Sequence, residues 1–264
     1  MTIAVLGPKG TFSSELAEKI KDTDEEILLL PTIREVFSTV IKGGIRGIVP
    51  VENSEAGGVG ETLDGLLEQN CKITAEYYMP IRHCFVSLYP LDEISVVYTH
   101  PQSHEQCSIF LGDLKGVPVI HTSSNSRSAK EAKIKNNSAA VTTKSSAALY
   151  KLPVLKEDIQ NSGNNTTRFL EISSDAGLYK NPEKCSLIII PKDNRPGLLY
   201  SILENFAKKE INLTRIESRP SKTGIGRYIF FIDFETSEGW KNAISGLKTV
   251  TGLKELGCYN RKEI

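Results

Sequence analysis

The 264-residue sequence carries no excess of either charge, since lysine plus arginine and aspartate plus glutamate both number 32. Zero formal charge gives no long-range field for nucleic acid or an anionic membrane, so any charged partner has to be held by local groups. No apolar run reaches the roughly 20 residues of a membrane span. The opening stretch MTIAVLGPKG reads as a strand, not as the basic and apolar regions of a signal peptide. The expectation is a cytoplasmic protein with no nucleic-acid and no membrane partner. Cysteine is sparse: the five, at 71, 84, 107, 185 and 258, are odd in number and never spaced C-x-x-C, which argues for reduced thiols and against a disulfide framework or zinc. Internal repeats, low-complexity tracts, the dinucleotide fingerprint G-x-G-x-x-G, the phosphate loop G-x-x-x-x-G-K-[ST] and H-E-x-x-H are also missing. His100 and His104 are four apart with Cys107 one turn on, but no carboxylate completes a ligand set. No metal is expected.

What is present is alternation. TIAVLG, a helix opened by GPKGTFS, a helix over residues 33–42 and IRGIVPVEN predict an α/β domain with a largely parallel sheet. From Tyr77 on, HCFVSLY, EISVVYTH, VPVIHT and SAAVTT read as four short strands, with helices at 101–111, 126–135 and 145–150. NNTTRFLEI then returns through a polar loop to one more strand. Two α/β lobes around a cleft fit this order, the first about 1–76 and 160–178, the second about 77–159. SSDAGLYKNPEK, 173–184, reads as a linker. Beyond it, residues 184–264 run strand, helix, strand, strand, helix, strand, the ferredoxin-like order.

Five polar clusters stand at strand ends. GPKGTFS sets Thr11 and Ser13 where a helix begins, either a plain turn or an anion site. VENSEAGGVGE brings Glu52, Asn53 and Ser54 ahead of a glycine-rich stretch that lets backbone approach a ligand. In THPQSHEQC, Gln102 and Gln106 share one helical face. Ser124, Asn125 and Ser126 crowd a helix start at which capping accounts for one hydroxyl. NNTTRF adds Thr167, Arg168 and Phe169. One cleft for a small polyanion accounts for these clusters together.

Taken in order, GPKGTFS, PVENSEAGGVGETLD, HPQSHEQC, SSNSRSAK, NNTTRF, RPGLL and IESRP resemble prephenate dehydratase over nearly the whole chain. The resemblance implies two lobes like those of type II periplasmic binding proteins, followed by a phenylalanine-binding ACT domain. It also implies cofactor-free conversion of prephenate to phenylpyruvate. It assigns the catalytic threonine to Thr167, with Asn53 and Gln106 in the site and Thr99 standing for a serine. Departing hydroxide needs a donor, Thr167 with Glu52 as the runner-up acid. One carboxylate suits an apolar wall such as Phe169, and the other a clamp of Arg168 with Ser124 and Ser126. In the last domain Asn194, Gly197, Leu198 and Leu199 precede or open a helix, and Glu217, Ser218, Arg219 and Pro220 end a strand. These eight are the expected phenylalanine site, in a homodimer or homotetramer. Arogenate dehydratase and a non-catalytic small-carboxylate sensor are the competing readings.

Overall fold

The computed structural model describes residues 1–175, 179, 181–193, 195–221 and 226–264. The strand Thr2–Leu6 buries Ile3, Ala4 and Val5 and lies parallel between Glu26–Leu30 and Arg46–Asn53. Helices Phe12–Ile20 and Ile33–Gly43 make the crossovers, each opened by a threonine, Thr11 or Thr32, whose hydroxyl accepts a backbone N–H of the first turn. The chain leaves this lobe along Lys72–Pro80 and returns along Thr166–Ser173, which is wedged between Arg46–Asn53 and Lys72–Pro80 and antiparallel to both. A strand that comes back beside the one that left must run against it, so the expected largely parallel sheet is corrected to a mixed one.

The second lobe has its own sheet, ordered Val154–Lys156, Cys84–Ser87, Ser138–Thr142, Val96–Thr99, Val119–His121. Its last three strands are mutually parallel, as their helical crossovers require. Tyr77 packs with Ile3 and Val5 in the first lobe, so the second lobe begins beyond Pro80 and not at Tyr77. The helix expected over 101–111 is two, Pro101–Gln106 and Ser108–Asp113, broken at Cys107.

From Lys184 the chain forms strands Lys184–Ile190, Leu213–Pro220, Tyr228–Glu235 and Gly252–Arg261 with helices Leu198–Ala207 and Trp240–Val250, the order read from sequence. The helices cover one face through Leu187, Ile189, Ile202, Phe206, Ile232 and Phe234. The other face packs Ile188, Phe231, Leu256 and Tyr259 into the first-lobe core with Val49, Val51, Leu170 and Ile172. At about 1.5–3 kcal/mol for each large apolar side chain withdrawn from water, this joint is a core. The last strand also pairs with Lys72–Pro80, Asn260 opposite Ala75, so one sheet spans both units. Of the linker read at 173–184, residues 176–178 and 180 lie outside the described residues.

Cys185 and Cys258 stand directly opposite on paired strands and are joined as a disulfide, which corrects the reading of five reduced thiols. Their separation of 73 residues in sequence hid the pairing. Cys71, Cys84 and Cys107 are free and buried. Among the described residues no helix is long and apolar enough to cross a membrane, and no three His, Cys, Asp or Glu residues are grouped to hold a metal.

Candidate active site

A cleft of about 1030 Å³ lies between the lobes, lined by Thr11, Ser13, Asn53, Gln102, Gln106, Ser124, Ser126, Thr167 and Phe169 among others. Its floor is a pair of strands in which Thr167 lies opposite Asn53 and Arg168 opposite Glu52. The register then jumps from Arg168–Glu52 to Phe169–Pro50 and leaves Val51 unmatched. This bulge inverts the side-chain alternation of the last residues of Arg46–Asn53. Pro50 and Asn53 therefore both face the cleft, and Glu52 does not.

Asn53 is held in one orientation. Its Oδ1 accepts from the backbone N–H groups of Glu55 and Ala56 at 3.1 and 3.0 Å, and its Nδ2 donates to Asn165 Oδ1 at 2.7 Å and Thr167 Oγ1 at 2.9 Å. Thr167 oxygen thus already accepts a hydrogen bond. Accepting polarises the hydroxyl and leaves its own proton to be donated elsewhere.

The opposite wall comes from the second lobe. Gln106 Oε1 meets Nε2 of the buried His83 at 2.9 Å, and the Phe12 ring stands edge-on to the imidazole at 5.5 Å. Burial holds His83 below its ordinary pKa, and it does the same to His100 at the rim. Ser124 caps the helix Asn125–Ile134, accepting from Arg127 N at 3.1 Å. Ser126 Oγ donates to Lys9 O at 2.5 Å, and Thr143 and Ser146 hydroxyls both donate to Gly10 O at 2.8 Å, so the GPKG turn locks into the second lobe. Gly10 has φ +90°, and a Cβ there would collide with Ser146 Oγ.

Four expected site residues lie elsewhere. Arg168 is corrected: its guanidinium is 3 % exposed and faces the C-terminal unit, with Nη1 2.6 Å from Asp233 Oδ2, Nε 2.7 Å from Glu76 Oε2 and Nη2 2.9 Å from Tyr259 Oη. Burial opposes its charge, but Asp233, Tyr259 and Glu76 outweigh that and raise its pKa. Glu52, the alternative acid, is also corrected: its Oε2 is 2.6 Å from Arg215 Nε of the C-terminal unit. Ser54 pins the returning loop by accepting from Thr166 N at 3.0 Å. Thr99 is buried beneath the helix start, its hydroxyl donating to His100 O at 3.2 Å. The candidate metal ligand His104 instead pairs with His121, Nδ1 to Nε2 at 2.9 Å.

Cleft residues that the sequence reading missed include His83, Glu61, Lys9, Arg127 and Lys130. Glu61, in the first turn of Gly60–Glu68, supplies a carboxyl to the cleft where Glu52 does not. Lys130 and Arg127 sat inside the quoted SSNSRSAK, where a helix position facing the cleft was the available signal. His83 had none, standing in the apolar run IRHCFV.

The expected effector residues divide between two faces. Arg219 donates to Gly60 O at 2.6 Å and lies 3.5 Å from Asp64, and a Cβ on Gly58 would collide with the Glu217 carboxylate, so both touch the glycine-rich loop of the first lobe. Ser218, between them, and Pro220, after Arg219, are exposed positions in the alternation of the strand. Gly197, at φ +78°, opens the helix Leu198–Ala207, in which Leu198 is buried and Leu199 exposed. Asn194 lies outside the described residues.

The family model for prephenate dehydratase matches residues 3–177. A prephenate dehydratase of Methanocaldococcus jannaschii is 38% identical over 239 residues, covering 88% of this chain and 87% of that protein. The bifunctional chorismate mutase/prephenate dehydratase of Pseudomonas aeruginosa is 38% identical over 240 residues, and the match spans 89% of this chain but 65% of that longer protein. The crystal structure of prephenate dehydratase in complex with L-Phe from Arthrobacter aurescens superposes with a TM-score of 0.90 at 28% identity, covering 99% of this chain and 90% of that one. The chain belongs to the prephenate dehydratase family.

Proposed function

We infer that the cleft converts prephenate to phenylpyruvate, carbon dioxide and water, the step toward phenylalanine that the family catalyses. The carboxylate-bearing C–C bond breaks, its electron pair enters the ring as aromaticity is gained, and the ring C–O bond breaks. The leaving oxygen must be protonated as it departs, because hydroxide is a poor leaving group. The observation that carries this reading is the 2.9 Å bond from Asn53 Nδ2 to Thr167 Oγ1, which leaves the threonine proton for that oxygen. Threonine is too weak an acid to give up the proton outright, so Thr167 donates a hydrogen bond or relays a proton. Phe169 forms the apolar wall for the carboxylate that departs. With Arg168 turned away, the pyruvyl carboxylate falls to the helix start at Ser124 and Ser126 and to Lys9, Arg127 and Lys130 around it.

The C-terminal unit is, in this reading, an ACT domain that binds phenylalanine. Its element order, the exposed Ser218 beside the alternating Glu217 and Arg219, and the L-Phe complex of the Arthrobacter relative support this. Gly197, Leu198 and Leu199 at a helix start form the other half of the pocket, in a cytoplasmic homodimer or homotetramer. The two lobes follow the periplasmic-binding-protein plan of sheets joined by adjacent crossing strands, here Lys72–Pro80 and Thr166–Ser173.

The test is phenylpyruvate formation from prephenate and, in parallel, phenylalanine formation from arogenate, each with a chelator and with L-phenylalanine. Turnover of prephenate that survives chelation and falls with phenylalanine is expected. Preference for arogenate would reassign the substrate, and turnover of neither by folded protein would make the cleft a carboxylate sensor.

A further inference from the structure

The amide of Gln106 can present either of two faces to the cleft, and they have opposite sign. Its –NH₂ would welcome a dianionic, hydroxyl-bearing substrate, whereas its carbonyl oxygen would repel one. What decides between them is His83, whose Nε2 is 2.9 Å from Gln106 Oε1. Both side chains are buried, at 1% and 7% exposure, and both line the cleft. His83 Nδ1 is buried and has no partner among the described residues.

Two arrangements satisfy that distance. If Nε2 carries the ring proton, it donates to the Gln106 carbonyl and the orphan Nδ1 is a lone pair. If the glutamine is reversed, its amide donates to Nε2 and the orphan Nδ1 is an N–H. A buried N–H without an acceptor is the rarer and costlier of the two. The first arrangement also leaves both amide hydrogens of Gln106 free for the cleft.

The backbone holds the pair in place from one short segment. His83 N donates to Gln160 Oε1 at 3.0 Å, Ile159 N donates to His83 O at 3.2 Å, and Asn161 N donates to Gln106 O at 2.7 Å. Phe12, from the first lobe, closes the ring's edge.

We propose that His83 is a positioning residue, which as the Nε2–H tautomer fixes the Gln106 carbonyl away from the cleft and so presents the amide hydrogens to an oxygen of the substrate. The role rests on the prephenate dehydratase reading, but the orientation it describes does not.

Two measurements test it. The first is long-range ¹H–¹⁵N correlation of the histidine rings in the intact protein, with His83 assigned by its loss in His83→Gln. A neutral Nε2–H ring at pH 7 is expected, and an Nδ1–H or charged ring would overturn the proposal. This readout holds whether or not the protein turns over prephenate, so absence of turnover would remove the functional reading alone. The second is kinetic. His83→Met should lower kcat/KM for prephenate about 10- to 100-fold through misplacement of a substrate-positioning group. His83→Gln, whose amide nitrogen reaches roughly the place of Nε2, should recover most of it. In a double-mutant cycle His83→Met should add little to Gln106→Met, because its effect passes through that side chain. Fully additive losses, or His83→Gln as impaired as His83→Met with both melting like the parent, would overturn the role.

Discussion

Thr167 and Arg168 are neighbours in one strand and serve opposite sides of it: the hydroxyl accepts from Asn53 in the cleft at 2.9 Å, and the guanidinium grips Asp233 of the C-terminal unit at 2.6 Å. The partner strand repeats the division, with Asn53 in the cleft and Glu52 held by Arg215 at 2.6 Å. Each of these two cleft side chains is therefore one peptide bond from one that meets the C-terminal unit. A shift of that unit has a short route to the Thr167 hydroxyl.

Thr167→Val keeps the volume and removes the donor, and it should lower kcat by about 10²- to 10³-fold, in the range of a lost proton-transfer partner. KM should move little, because the contact matters as the leaving oxygen gains charge. Asn53→Ala should lower kcat too, by freeing the threonine to rotate. Steady-state kinetics beside thermal unfolding would check this, and a Thr167→Val protein that melts early would make the residue structural.

Arg168→Met should cost stability before it costs affinity. It leaves Glu76, Asp233 and Tyr259 around an absent cation, and breaking such a buried cluster from one side costs about 3–5 kcal/mol. Urea unfolding reads this out directly. Unchanged stability with a raised KM would return Arg168 to the cleft.

Periodicity and turn chemistry were enough for the strand and helix order of the C-terminal unit, and motif order was enough to bring Asn53, Gln106 and Thr167 to one cleft. What failed depends on the neighbouring strand. Alternation along VPVEN sends Pro50 and Glu52 to one face, and the bulge at Val51 that replaces Glu52 with Asn53 exists only in the pairing with Thr166–Ser173. Arg168 was misread because a guanidinium beside a threonine expected to be catalytic invites a substrate role, and its partners Glu76 and Asp233 lie 92 and 65 residues away. His83 was invisible because the polar contact of its ring comes from another element of the lobe.

Stability should fall in two stages as the pH drops. His83 and His100 are held below the ordinary histidine value of 6.5 by burial, so below that pH the unfolded chain takes up protons that the folded one does not. Their contribution is complete above 6.5 and is lost as the pH falls toward the depressed folded values. Burial works against the charge of Asp233, but Arg168 outweighs it and lowers the pKa from 3.8; Glu171 is lowered from 4.5 against its burial by Lys262, Thr74 and Tyr77. Both carboxylates stabilise fully above those values and lose that contribution below them. Each proton adds a slope of up to about 1.4 kcal/mol per pH unit. Denaturant melts between pH 8 and 3 should show a shallow decline from 6.5 and a steeper one below 4.5, with His83→Gln flattening the first. A wild-type profile level from pH 7 to 5 would contradict the neutral buried rings.

Phenylalanine inhibition should depend on residues that touch no substrate. Gly197 stands at φ +78°, a conformation that costs other L-residues roughly 1–2 kcal/mol, and Ser218 lies exposed on the strand between Glu217 and Arg219. Gly197→Ala and Ser218→Ala should raise the half-inhibitory concentration at least about tenfold, the equivalent of 1.4 kcal/mol, with basal kcat unchanged. Glu52→Gln separates binding from response. It breaks the ion pair with Arg215 from the first-lobe side while leaving Arg215 paired with Glu217 and leaving Gly197 and Ser218 in place, so calorimetry should find phenylalanine bound nearly as tightly while inhibition weakens. Coupling between effector and substrate is a free energy distinct from either affinity. Full inhibition in Glu52→Gln would mean that the signal reaches Thr167 by another contact between the units, such as that of Arg168 with Asp233.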